Sequence, residues 1–98
     1  MSREQMEAVA AELGRLGVQA SALERAPDWW VVLIRTPQAG LWAFYPYSAI
    51  GEWCGAQVDE RGAFLNSRRL PTGITCDFED RARIAQAIDF NLREFLGK

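Results

Sequence analysis

Apolar residues recur along this chain with two different periods, and the changes of period divide it into elements. Met6, Val9, Ala10, Leu13 and Leu16 follow the three-and-four spacing of a helix with one buried face, while Glu4, Glu7, Glu12 and Arg15 fall on the other. Ser2 with Gln5 three residues on has the form of a capping box, the hydroxyl taking the Gln5 N–H while the glutamine reaches back. Gly17 suits the left-handed residue just past such a helix, and Gly14 weakens its last turn. A second stripe, Ile84, Ala85, Ile88, Leu92 and Phe95, predicts a C-terminal helix ended by Gly97. Asp77, Glu79 and Asp80 crowd its positive end, with Asp77 in the capping position, and Glu79–Arg83 and Asp89–Arg93 stand at i,i+4.

Between the helices the pattern is that of strands. Val18 to Leu23 predicts a short, weak strand, turned by Ala26-Pro27-Asp28. Trp29 to Thr36 is almost wholly aromatic and β-branched, and Leu41 to Tyr45 returns across the turn 36–40 as a hairpin. Pro46 cannot donate to a ladder and is read as interrupting the sheet, with a short helical turn from Ser48 to Trp53. Ala56 to Asp59 and Ala63 to Asn66 alternate weakly about Glu60-Arg61-Gly62, the reading of a second hairpin. Pro71-Thr72-Gly73 marks a turn before a last strand, Ile74 to Cys76. The expectation for residues 1–98 is one α+β domain: a mainly antiparallel sheet of four to five strands with an N-terminal and a C-terminal helix packed on it.

The central hairpin breaks the rule that a sheet with one wet face alternates apolar and polar residues. Trp29, Val31 and Leu33 lie on one face and Trp30, Val32 and Ile34 on the other; Leu41, Ala43 and Tyr45 oppose Trp42 and Phe44 in the same way. Seven of the eleven aromatics fall between Trp29 and Trp53, so both faces need cover. Either the helices take opposite faces, or both take one face and a partner, foreign or a second copy, takes the other.

Composition narrows the chemistry. A net charge of −2 offers no bulk field for nucleic acid or an anionic membrane, and no stretch approaches the length of a membrane span. The chain has no His, which removes Ser-His-Asp and Cys-His catalysis and every His-containing zinc site. Cys54 and Cys76 fit no metal spacing and read as two buried, reduced thiols. Residues 1–17 lack the continuous apolar block of a signal peptide, the reading of a cytoplasmic protein. Glycine-rich phosphate loops, nucleophile elbows and paired catalytic carboxylates are absent from the sequence, so the expectation is a non-enzyme without cofactor or metal. Asp77, Glu79 and Asp80 are explained by helix capping before Mg²⁺ need be invoked.

Candidate partner-binding residues are Tyr47 and Trp53, the aromatics least tied to strands, together with Trp42 of the hairpin, the Arg68–Arg69 pair of the following loop and Arg61 near it. Tyr, Trp and Arg are the residues that interfaces favour. The expected function is a small non-catalytic protein-binding module that occludes or scaffolds a larger protein, most concretely a phage or mobile-element inhibitor of host machinery or an immunity-type protein. A second reading is nucleic-acid binding through Arg and aromatic stacking, against which the charge balance argues.

The order helix–strands–helix is similar to that of double-stranded RNA-binding domains. That likeness is set aside because Asp77, Glu79 and Asp80 would repel phosphate where a lysine-rich helix start is required. Helix, three strands, short helix, two strands, helix also resembles the order of elements in secretion-chaperone-like folds, and the resemblance implies a dimer. It extends to no shared motif.

Overall fold

The computed structural model describes residues 2–95. The chain runs α1 (Arg3–Arg15), β1 (Gln19–Ala26), β2 (Trp29–Thr36), β3 (Gly40–Tyr47), β4 (Glu52–Val58), β5 (Leu70–Thr75) and α2 (Arg81–Phe95). The strands form one antiparallel meander in the order β1-β2-β3-β4-β5, an α+β fold as the periodicity predicts.

Both helices lie on the same side of the sheet. Met6, Val9, Ala10 and Leu13 from α1 and Ile84, Ala85, Ile88 and Leu92 from α2 share one core with Val32, Ile34, Phe44 and Trp53. Ser2 Oγ accepts from the Gln5 N–H at 3.1 Å and Gly17 takes φ 83°, so both ends of α1 fall where predicted, although the reciprocal bond from the Gln5 side chain is not made among the described residues. Full burial of side chains the size of Phe44, Ile84 or Leu92 contributes about 1.5–3 kcal/mol each, making this layer the main store of stability. Leu16 and Phe95, predicted to continue the two stripes, stay exposed. Gly97 lies outside the described residues.

Several local readings are corrected. Pro46 does not break the sheet: it stays inside β3 opposite Trp53, with a trans peptide bond. The β2–β3 ladder ends at Val32↔Phe44, so no strand on that side requires an N–H from Pro46. Ser48 to Gly51 is only a turn, and Trp53 belongs to β4; the middle helix of the secretion-chaperone-like order is therefore missing among the described residues. Ala63 to Asn66 is not a strand but a single bridge, Val58↔Phe64. The fifth strand begins at Leu70 and absorbs the predicted Pro71-Thr72-Gly73 turn. Asp80, not Asp77, caps α2, its carboxylate accepting from the Ala82 and Arg83 N–H groups at 3.1 and 3.3 Å. Asp89–Arg93 pairs at 2.9 Å, whereas Glu79 offers Arg81 its carbonyl oxygen and makes no ion pair with Arg83 among the described residues. Cys54 is buried and Cys76 half-buried, both free.

Gly55 permits the tightest approach in the core. A Cβ there would stand 2.5 Å from Cζ of Phe44, directly across the β3–β4 ladder. Gly55→Ala is therefore expected to destabilise the fold by about 1–3 kcal/mol through overpacking. A lower urea midpoint at unchanged m-value checks it.

Candidate functional site on the strapped face

The second face of the sheet is apolar too, as the two-sided hairpin requires: Val31, Ala43, Tyr45, Cys54, Ala56 and Val58 are buried there. The chain covers this face itself, a third solution beside the two expected from the sequence. The connection between β4 and β5, residues 59–69, folds back over it as a strap and sets Phe64 against the cluster.

The strap is shaped by its own polar groups. The Asp59 carboxylate accepts from the Arg61 and Ala63 N–H groups at 2.9 and 3.0 Å. Those bonds, Ala63's first, hold its pKa below the usual carboxylate range. Gly62 turns the chain at φ 84°, where a Cβ would lie 2.7 Å from Cδ2 of Leu23, so glycine is required by both conformation and space. Leu65 donates its N–H to the Gln57 carbonyl at 3.0 Å, and Arg35 forks onto the Glu60 carboxylate at 3.2 and 3.3 Å, tying the strap to β4 and β2.

Two guanidinium groups hold Phe64 in place. Arg25 lies 3.8 Å and Arg69 4.2 Å from the centroid of the ring, which also stacks on Tyr45 at 6.0 Å and meets Trp29 edge-on at 6.1 Å. Arg25 Nε donates to the Gly62 carbonyl at 2.7 Å and Arg69 Nε to the Tyr45 hydroxyl at 2.8 Å. Partly desolvated cation–π contacts of this kind contribute about 0.5–2 kcal/mol each. Burial pushes the Tyr45 pKa up to about 12, the neighbouring Cys54 adding to the rise and the Arg69 bond opposing it. Burial likewise raises the thiols of Cys54 and Cys76, which keeps both out of the reactive thiolate form.

The predicted site residues separate. Trp53 is fully buried in the helix-side core and cannot touch a partner. Trp42 lies half-buried on that same side, its indole N–H donating to the Ala39 carbonyl at 3.1 Å. Tyr47 and Arg69 meet on the strapped side, where Arg69 is half-buried and serves the fold, and Arg61 and Arg68 lie in the strap. Arg61 and Arg68 are exposed, and neither forms an ion pair among the described residues. Between them Leu65 is 57% exposed.

The chain matches no family model, no curated protein and no solved structure.

Sequence reasoning missed Arg25, Phe64 and Leu65. The available signal was an aromatic inside a connection rich in Asp, Gly, Asn and Ser, where a solvated loop has no use for one. Among the described residues no three His, Cys, Asp or Glu side chains stand together in a metal-holding group, so Asp77, Glu79 and Asp80 do not converge.

Phe64→Ala removes the ring and both cation–π contacts; a loss of about 2 kcal/mol in urea unfolding is expected. Stability is also expected to fall with alkali. Tyr45 keeps its proton in the folded chain up to about pH 12 but loses it near pH 10 when unfolded, so its contribution is full below pH 10 and drains away between 10 and 12. Tyr45→Phe should make the fall in that window shallower by up to about 1.4 kcal/mol per pH unit, leaving the part due to the raised thiols.

Proposed function

We propose that this chain is a non-catalytic protein-binding module whose strapped face docks on an acidic surface of a larger protein, occluding or scaffolding it. The observation that carries the reading is the strap's Arg61, Leu65 and Arg68: along the strap an exposed apolar side chain stands between two exposed cations, neither in an ion pair among the described residues. The chain as a whole carries a net charge of −2, yet the strap bears Arg61, Arg68 and Arg69 and is met by Arg25 and Arg35, against only Asp59 and Glu60 of its own. A cationic patch on an acidic chain steers and orients an acidic partner. Asp59, Gln57 and Phe64 hold the strap in one shape, so little conformational freedom is lost when it docks.

A cytoplasmic inhibitor or immunity-type protein is the concrete form of this role. Nucleic-acid binding is less well supported, because Arg25 and Arg69 already stack on the chain's own Phe64 and are not free to sandwich a base. Affinity capture from the native host with the immobilised chain, followed by mass spectrometry, tests the proposal. Combined replacement of Arg61, Leu65 and Arg68 by Ala is expected to weaken capture by about tenfold or more while thermal unfolding is unchanged. Equal capture by the variant would remove the strapped face from the proposal.

A further inference from the structure

The two outer strands of the sheet differ in what their outward backbone groups do. On β5 several backbone groups are met by side chains or missing. Asn91 donates to the Thr72 carbonyl at 3.3 Å, Glu52 accepts from the Gly73 N–H at 2.8 Å, Thr72 Oγ1 accepts from the Ile74 N–H at 3.2 Å, and Pro71 has no N–H. These are the devices by which an edge strand is closed to further pairing.

β1 has none of them. Beyond its ladder with β2, no hydrogen bond reaches the backbone of Gln19–Ala26 among the described residues. The phase of the ladder identifies the open groups. Because the Leu65 N–H meets the Gln57 carbonyl, odd-numbered residues of β4 face outward and even-numbered ones face β3. Alternation across the registers then sets Trp42 and Phe44 toward β2, and Leu33 and Arg35 toward Ser21 and Gln19. Ala20, Ala22 and Glu24 are left with their N–H and C=O groups pointing away from the sheet. The stretch Gln19–Leu23 contains no charge and no proline, and the register shift between Glu24 and Ala26 ends it.

We infer that β1 is a self-association edge, and that a second copy of this chain pairs with it antiparallel about a two-fold axis through Ala22. In that register Ala22 faces Ala22 of the second copy and Ala20 faces Glu24, so three pairs exchange about six N–H···O bonds. In that register small Ser21 stands beside Leu23, Ala22 beside its own copy, and no like charges are opposed. The run offers little side-chain pattern by which a foreign peptide could be selected, whereas its own copy satisfies every outward group. The sheets of the two copies become continuous, and the pairing is made by backbone groups of β1 rather than by Arg61, Leu65 or Arg68.

Sedimentation of the whole chain across a concentration series tests this. The 11.0 kDa monomer is expected to convert to a species of twice that mass. Ala22→Pro removes an N–H that makes no bond within the fold, and should raise the dimer dissociation constant by about tenfold or more with unfolding unchanged. If that variant folds poorly, a second pair reads the register. Ala20→Lys, facing Glu24, should tighten the dimer by about threefold, and Ala20→Glu should weaken it similarly. Both chains carry a long side chain at the same place, so any packing cost is common to the two. A wild type that stays monomeric throughout, a dimer indifferent to Ala22→Pro, or shifts of the same sign at Ala20 would each overturn the inference. Replacing Arg61, Leu65 and Arg68 should leave the sedimentation profile unchanged, so the strapped-face proposal and this one fail separately.

Discussion

A hairpin that is apolar above and below cannot stand in water on either side, and every other part of this molecule is arranged around that constraint. β2 and β3 present Val32, Ile34 and Phe44 to the helices and Val31, Ala43 and Tyr45 to the opposite side. Leaving either set wet would sacrifice several side chains' worth of burial, in a chain whose net stability is only of order 5–15 kcal/mol. The helices answer for one face with two amphipathic stripes. The other is sealed by an irregular segment with one aromatic anchor.

That second solution costs the chain more in polar arrangement than in apolar area. A helix satisfies its own backbone, whereas a loop laid over an apolar face must find a partner for each group it buries. Asp59 therefore caps its own turn, Gly62 closes against Leu23, and Arg25 takes the Gly62 carbonyl. The same arginines that satisfy these groups lie over Phe64, so electrostatics and packing are joined at one ring. Their work inside the fold also separates the arginines that hold the strap from Arg61 and Arg68, which face solvent.

The edges of the sheet show a similar division. The short β5 is stitched by Asn91, Glu52 and Thr72, and the groups involved come from α2, β4 and β5 itself. The longer β1 lies beside α1 with its outer backbone open. The strapped face and this open edge are joined through β1 itself, because its Leu23 and Arg25 hold the strap at Gly62 and Phe64 while the backbone of Ala20 and Ala22 points outward.

Where periodicity is local, the amino-acid order alone was sufficient. Both helices, the Ser2 cap, β2 and the two-sided character of the central hairpin were legible because spacing, β-branching and capping act over a few residues. Trp53 was misplaced because Pro46 reads locally as a strand breaker, and only the end of the β2–β3 ladder makes it harmless. The strap left only one local trace, an aromatic in a polar connection: its defining bond joins Arg25 to Gly62 across 37 positions, and no short-range pattern encodes a contact of that span. Which arginines are spent on the fold, which face of the sheet each helix takes and which edge stays open were decided only by the assembled tertiary structure, because each depends on what lies opposite in space rather than next in sequence.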